Sequence, residues 1–290
     1  MRILLAVDGS EDAMHAADAV SKMRTHEPAD VHVVTVVNPP EVAVDSSAEI
    51  WLPQLLEEQQ KGAERTLESA RSRLAEGSCR VTTQICGGHI AHAILDAAEK
   101  FDADLIATGA VGHSPVSRIL LGSVSDDVAT HAKQSVMVFR TGELFKLDRP
   151  LRVTLAYDGS ESADKVIDDL SEFAWAKDAN IDVVCVSTRI EMFGQEFTPA
   201  AIEDSARRRV DAQRLAENGV SRLQPTNTGA TATMLESDHT GEGILKAAEQ
   251  HGSDMIIVGD KGHGLVTRLL LGSTSRYVLR HANQTVLIAR

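Results

Sequence analysis

The chain has 290 residues, of which 43% are hydrophobic, and its 29 basic and 42 acidic side chains give a formal net charge of −13. At roughly 100–200 residues per domain, this length predicts two domains, and the acidic surface disfavours nucleic acids and anionic membranes as partners. Three cysteines without a Cys-x2-Cys pair argue against a zinc site and favour a reducing, cytoplasmic environment. The N-terminal apolar segment is too short for a signal peptide, and no apolar run reaches the ~20 residues of a membrane-spanning helix.

The first 140 residues alternate between strand and helix patterns. Continuous apolar runs such as "RILLAV" predict strands that are buried on both faces. In chain order we predict a strand at 2–7, a helix at 11–26, a strand at 30–37, a helix at 52–76, a strand at 79–85, a helix at 89–101, a strand at 103–109, a helix after Ser123 and a strand at 135–140. This alternation predicts an α/β fold with a doubly wound parallel sheet.

The second half of the chain repeats the first at a constant shift of 150 residues. "LAVDGSEDA" returns as "LAYDGSESA", and 10 of the 17 residues from Gly109 onward are identical to those from Gly259 onward. Two repeats of this size indicate a duplicated domain, because solenoid units have only ~20–50 residues. We therefore predict domains at 1–140 and 151–290, joined by a linker at 141–150.

A glycine-rich loop follows the fourth predicted strand in each half. Its pattern, Gly-x2-Gly-x9-Gly-Ser, comprises Gly109, Gly112, Gly122 and Ser123, and again Gly259, Gly262, Gly272 and Ser273. We expect the first two glycines to allow positive φ angles and a close approach of the backbone to a ligand. The third glycine opens a helix whose free N–H groups favour phosphate. Further hydroxyl donors are expected from Ser123, Ser125, Ser273 and Ser275, although Ser123 could instead be a plain helix N-cap.

An aspartate follows the first predicted strand in each half, at Asp8 and Asp158. Because ligands of open parallel sheets bind where the strand order reverses, this turn and the glycine loop would share one crevice. The carboxylate could accept hydrogen bonds from a ribose, help to place a metal ion, or cap the next helix. A Walker lysine is absent from the sequence, and no nucleophile–base set is recognisable. His113 and His263 are read as exposed loop residues, with phosphate contact as the alternative.

These motifs resemble the universal stress proteins in tandem form, over both halves of the chain. ATP-binding members of that family carry Gly-x2-Gly-x9-Gly-Ser/Thr, and the family's aspartate matches Asp8 and Asp158. Its second-strand valine, which meets adenine through its backbone, matches Val36 and Val186. The resemblance implies two Rossmann-like, adenine nucleotide alpha hydrolase-like domains, each with five parallel strands in the order 3-2-1-4-5. It also implies ATP, with Mg²⁺ as an accompanying ion, and pairing of the domains through their fifth strands, with a homodimer left open.

Three functions stay open at this stage. The leading hypothesis is an ATP-binding protein with a regulatory or stress-adaptation role and little or no catalysis. The alternatives are a slow ATP hydrolase and a scaffold or lipid-type ligand carrier, for which the loops at 41–53 and 190–200 would supply Trp51, Phe193 and Phe197. We expect the second site to bind ATP at least as tightly as the first, because Arg276 stands where the first half has an acidic residue.

Overall fold

The structure is a computed structural model that describes residues 1–38, 48–112, 121–145, 147–188, 199–262 and 271–290. The chain divides into two compact units. The first comprises Met1–Met23 with Glu27–Lys146, and the second comprises Arg24–His26 with Leu147–Arg290. In the described part of the chain, no helix is both long and apolar enough to cross a membrane.

The first unit is a parallel sheet with helices between successive strands. Its elements are β1 (Arg2–Ala6), α1 (Glu11–Lys22), β2 (Asp30–Val37), α2 (Ala48–Leu74), β3 (Arg80–Gly87), α3 (Ile90–Lys100), β4 (Leu105–Gly109), α4 (Ser123–His131) and β5 (Ser135–Phe139). All of its strand pairs are parallel, and they give the order β3-β2-β1-β4-β5. The order within this unit is therefore the predicted one, and it reverses between β1 and β4.

The second unit repeats this arrangement. Its elements are β6 (Arg152–Ala156), α5 (Glu161–Leu170), a short 3-10 helix (Ala174–Asp178), β7 (Asn180–Thr188), α6 (Pro199–Leu223), β8 (Thr231–Ser237), α7 (Thr240–His251), β9 (Met255–Gly259), α8 (Ser273–His281) and β10 (Thr285–Ala289). Its strands are parallel in the order β8-β7-β6-β9-β10. The reversal point here lies between β6 and β9.

The apolar runs of the sequence form the cores of the two units. Ile3, Leu4 and Leu5 of β1 are at most 1% exposed, as expected for a strand that is covered on both faces. α1 packs on α2, and α3 packs on α4; the second unit has corresponding α5–α6 and α7–α8 contacts. Helices thus cover the strands of each unit, and the loops are left at the two ends of the strands.

Two helix boundaries differ from the prediction. α1 ends at Lys22 rather than at residue 26, and Met23 is already extended. α2 begins at Ala48, four residues before the predicted start, so that Pro53 lies inside the helix.

The constant shift of 150 residues is wrong for part of the repeat. His32 pairs with Thr82 in the first unit, whereas Asp182 pairs with Thr231 rather than with Ala232. The buried faces of α2 and α6 show the same shift of 149: they are Ala63, Leu67, Ala70 and Leu74 in α2, and Ala212, Ala216, Gly219 and Leu223 in α6. Relative to the first half, the second half therefore lacks one residue before α6 and has one extra residue after β8, which restores the shift of 150.

The predicted linker is packed over part of its length. Gly142 is buried, and a Cβ atom on it would lie 3.2 Å from Cδ2 of His15. Leu144 is only 1% exposed. At the other end, Arg149 makes two hydrogen bonds of 2.8 Å to the carboxylate of Asp254. The linker is therefore anchored on both sides, and the domain borders at 140 and 151 stay a prediction.

Candidate functional site

A cleft of about 720 Å³ opens at the carboxyl ends of the strands in the first unit. All seven predicted site residues of this half line it, namely Asp8, Val36, Gly109, Gly112, Gly122, Ser123 and Ser125. The cleft also has walls that the sequence reasoning missed, because α2 contributes Gln59 and Thr66 and α3 contributes Ile94. The apolar periodicity of these helices shows which face packs on the sheet, but it does not show which turns extend past the sheet's edge.

Asp8 organises the turn between β1 and α1. Its Oδ1 accepts hydrogen bonds from the backbone N–H (2.9 Å) and the hydroxyl (2.5 Å) of Ser10. Ser10 is the N-cap of α1, and its Oγ accepts from the N–H of Ala13 at 3.3 Å. Asp8 therefore does not cap the helix itself, as one reading of the sequence had it, but holds the residue that does. Gly9 between them has a φ of 88°, which favours glycine.

The glycine loop needs its glycines for close contacts rather than for unusual backbone angles. Contrary to the prediction, neither Gly109 nor Gly112 has a positive φ. A Cβ atom on Gly109 would lie 2.5 Å from the backbone carbon of Asp12, and one on Gly112 would lie 2.5 Å from Oδ2 of Asp8. The Gly122 N–H donates to the Ala110 carbonyl at 2.7 Å and so closes the loop. Residues 113–120, with His113, lie outside the described residues, as does His263.

The start of α4 faces the cleft. Its N-cap is Gly122, so the reading of Ser123 as the N-cap is wrong, and within the described residues no side chain caps the helix. The first N–H groups of a helix lack intrahelical partners and carry a partial positive charge, which favours an anion. Ser123 is exposed there, but Ser125 is buried and donates its hydroxyl to the Gly109 carbonyl at 2.8 Å. Ser125 therefore supports the loop instead of offering the predicted donor.

Val36 presents its backbone to the cleft. The pairing of β2 with β1 ends at Val34, whose carbonyl accepts from the N–H of Val7 at 2.9 Å. Because backbone groups along a strand point alternately to its two sides, the N–H and C=O of Val36 point the same way as those of Val34. β1 has already ended on that side, while β3 continues on the other. These groups are therefore directed at the cleft rather than at a neighbouring strand.

The second unit has a smaller cleft, of about 370 Å³, at the equivalent place. Its lining includes all seven predicted residues of that half, namely Asp158, Val186, Gly259, Gly262, Gly272, Ser273 and Ser275. The local contacts are repeated: the Ser160 N–H donates to Asp158 Oδ1 at 3.0 Å, and the Ser275 hydroxyl donates to the Gly259 carbonyl at 2.6 Å. The N-cap of α8 is likewise a glycine, Gly272.

The two clefts differ in several side chains. Lys261 lines the second cleft where Val111 lines the first, and its Nζ lies 3.2 Å from Oδ2 of Asp260. Cys185 also lines the second cleft, and burial raises the pKa of its thiol to about 11, which keeps it neutral. Arg276 is not among the lining residues. The charge argument from Arg276 therefore has no support at the cleft, and the cation that does line it, Lys261, is paired with Asp260.

Comparisons with known proteins decide the family. The model of the universal stress protein family matches residues 1–140 and, a second time, residues 151–290. The chain belongs to the universal stress protein family. The resemblance inferred from the motifs is thus confirmed, and the chain is a tandem universal stress protein.

Two relatives and one solved structure agree with this assignment. A universal stress protein of Mycolicibacterium smegmatis is 24% identical over 293 residues, which cover 99% of this chain and 96% of the relative. One of Methanocaldococcus jannaschii is 30% identical over 142 residues, which cover 48% of this chain and 81% of the relative. The crystal structure of a universal stress protein from Archaeoglobus fulgidus covers 100% of this chain and 96% of its own, with a TM-score of 0.67 and 22% identity. That likeness shows the fold.

The clefts of this universal stress protein offer binding groups rather than an evident catalytic set. Within the described residues, no cluster of three or more His, Cys, Asp or Glu side chains is arranged to hold a metal ion. Among the described lining residues, the carboxylates are those of Asp8 in the first cleft and Asp158 in the second. Mg²⁺ usually keeps several waters and takes one or two carboxylates together with substrate phosphates. A single aspartate beside a helix start is therefore compatible with Mg²⁺ that arrives with a nucleotide.

Proposed function

We propose that this universal stress protein binds ATP at its switch-point cleft and uses it in a regulatory, stress-adaptation role with little or no turnover. The observation that carries the proposal is the convergence at one cleft of the glycine loop, the start of α4 and the free backbone edge of Val36. These three features match the phosphate and base ends of a nucleotide, and they come from three separate segments of the chain.

Each part of the nucleotide has a proposed partner. The phosphates lie at Gly109, Gly112, Gly122 and Ser123, where the N–H groups of the helix start attract anions, and Ser125 holds the loop in place. The ribose hydroxyls donate to the carboxylate of Asp8, and the edge of the adenine ring pairs with the N–H and C=O of Val36. The corresponding candidates in the second unit are Asp158, Val186, Gly259, Gly262, Gly272, Ser273 and Ser275.

The proposed role is regulatory because the cleft has little that would drive hydrolysis. Phosphoryl transfer needs a positioned nucleophile and charge stabilisation, which P-loop proteins obtain from a lysine and a metal ion. The sequence has no Walker lysine, and Asp8 is the carboxylate that would place Mg²⁺ in the first cleft. Cytoplasmic location and pairing of the domains through residues 135–140 and 285–290 stay predictions from the sequence.

Calorimetric titration with ATP tests the binding site. The double variant Gly122→Val, Gly272→Val should lose most of its affinity for ATP, because Cβ atoms there would already lie 3.3 Å and 3.1 Å from the carbonyls of residues 110 and 260. Gly229→Ala is the matched control, since its Cβ would meet only an ordinary contact at 3.7 Å. Unchanged ATP affinity in a folded double variant would disprove the site. A co-purified lipid in mass spectrometry, without nucleotide, would favour the carrier hypothesis instead.

Steady-state phosphate release tests the regulatory role. We expect turnover well below the range of about 1–10³ per second that is usual for enzymes. A rate within that range, abolished by Asp8→Asn together with Asp158→Asn, would show that the protein is a hydrolase.

A further inference from the structure

The two clefts share their phosphate half but differ in the half that lies beside Val36 and Val186. In the first unit, four residues of α2, the helix that packs on β2, line the cleft, namely Gln59, Gly62, Ala63 and Thr66. In the second unit, none of the described residues of α6 lines the cleft. The loss of this wall accompanies the drop in volume from about 720 to about 370 Å³.

Leu215 occupies the place in the second unit that Thr66 has in the first. The shift of 149 residues between the buried faces of α2 and α6 makes these two positions equivalent. Leu215 packs against the buried cluster of Cys185, Ala212 and Ala216. Its Cδ2 also comes so near the turn after β6 that a Cβ atom on Gly159 would lie 2.7 Å from it. The leucine therefore bridges α6 and the turn that carries Asp158.

The polar side chains that could contact a base also favour the first cleft over the second. The Oε1 of Gln59 is a buried acceptor that has no hydrogen-bond partner within the described part of the chain. A buried acceptor without a partner is costly, and an N–H donor on a ligand would satisfy it. At the shift of 149, the second unit has Arg208 instead, whose Nε donates to Asp204 at 2.8 Å. Among the described residues, only the first cleft therefore combines the larger volume with a buried acceptor that lacks a partner.

We infer that the first cleft is the nucleotide site of this chain, and that Leu215 closes the base-binding half of the second, so that one chain holds one ATP. The inference rests on the proposed function. It reverses the expectation of an equal or stronger second site, which depended on Arg276. The second unit retains its glycine loop and the helix start that would bind phosphate. Without room for the base, however, most of the nucleotide would have no contacts there.

A matched exchange of the two side chains tests the inference in the full chain. Calorimetric titration of the wild-type chain with ATP should give one tight site per chain. Thr66→Leu should weaken that site by about 10- to 100-fold, since even small changes of side-chain volume in a pocket have effects of this size. Leu215→Thr should leave the first site unchanged and add a second binding event. Val210→Thr is the control for replacing an apolar residue on α6, because Val210 is 49% exposed.

The outcomes separate this inference from the proposed function. Wild-type chain that binds no ATP at all would refute both. Two tight sites of similar affinity, or one tight site that Thr66→Leu leaves unchanged, would refute the inference while the proposed function stands. The wild-type stoichiometry and Thr66→Leu decide the question even if Leu215→Thr does not fold, which circular dichroism would reveal.

Discussion

At the scale of single residues, two serines at the start of α4 have different surroundings. Ser123 is exposed at the cleft, whereas Ser125 is 5% exposed and donates its hydroxyl to the carbonyl of Gly109. The end of β4 and the first turn of α4 are therefore joined by a side chain as well as by the loop. Ser275 makes the same contact to Gly259, so the arrangement is a property of the repeat.

Ser125→Ala should lower the free energy of unfolding of the first unit by about 0.5–1.5 kcal/mol, the usual contribution of one hydrogen bond. The buried Gly109 carbonyl would lose this donor and keep only the longer contact of 3.2 Å from the Thr108 hydroxyl. Ser123→Ala, on the same helix, should have little effect, because its side chain is exposed. Denaturant unfolding of both variants measures the difference, and equal losses would show that the Ser125 hydrogen bond contributes nothing.

Tyr157 gives the second unit a sensitivity to alkaline pH. Its hydroxyl donates to Oδ1 of Asp164 at 2.6 Å. Burial, which is the larger cause, and the Asp164 carboxylate, which is the second, raise the pKa of Tyr157 from 10.0 to about 12. Because the folded pKa lies above the unfolded one, the neutral tyrosine contributes stability that is complete below about pH 10. That contribution is lost as the pH rises towards 12.

We expect Tyr157→Phe to remove the part of the tyrosinate absorbance that appears at the highest pH. The variant should also lose less stability between about pH 10 and 12. Tyr277 is the only other tyrosine in the sequence, so Tyr277→Phe is the control. The absorbance titration and thermal melts over this range measure both effects. An ordinary pKa near 10 for the tyrosine left in Tyr277→Phe would contradict the assigned environment.

At the scale of elements, the turn after β1 and the loop after β4 fit each other only without a side chain at Gly112. A Cβ there would lie 2.5 Å from Oδ2 of Asp8, and one on Gly262 would lie 2.7 Å from Oδ2 of Asp158. The spacing of Gly-x2-Gly therefore sets the distance between two loops that leave neighbouring strands. We therefore expect Gly112 to affect a ligand through the carboxylate of Asp8.

Gly112→Ala should weaken ATP binding about tenfold, by displacing Asp8 from the position in which we propose that it meets the ribose. In the background of Asp8→Ala, the same substitution should have little further effect, because residues that act through each other are not additive. Calorimetric titration of the two single variants and the double variant completes the cycle. Additive losses would mean that Gly112 serves the ligand independently of Asp8.

The sequence predicts most of the elements but not the asymmetry between the clefts. Apolar runs predicted the buried strands such as β1, β2, β4 and β5, and the repeated loop located both candidate sites, because these signals are local. The 149-residue shift of α6 escaped notice because a deletion and an insertion cancel before His239. From the sequence alone, Leu215 is one more apolar residue on a helix, since periodicity cannot distinguish a side chain that packs in a core from one that would close a cleft.

At the scale of the whole molecule, the two units begin in the same way. The N–H of Arg2 donates to Asp104 Oδ2 at 2.7 Å, and the N–H of Arg152 donates to Asp254 Oδ2 at 2.9 Å. The second unit adds Arg149, which holds the same aspartate through two further hydrogen bonds. The segment that enters β6 is thereby fixed to the second unit before the strand starts.

Arg149→Ala should make residues 147–150 a faster target for a protease of broad specificity, because this exposed segment loses its anchor. Arg80→Ala is the matched control, since Arg80 forms a similar exposed pair with Asp30 in the first unit. Mass spectrometry of early fragments locates the cut. Equal cleavage rates in the wild type and in Arg149→Ala would show that the pair does not restrain the segment.

The proposed recognition of a base by the backbone of Val36 has a consequence for how the protein can vary. Any residue with an N–H group supplies the same donor and acceptor, so substitutions at this position need not alter the ligand. An alanine scan of the cleft would score the position as silent, and sequence drift there would leave no sign of lost function. Proline, which removes the N–H, is the replacement that would reveal the contact.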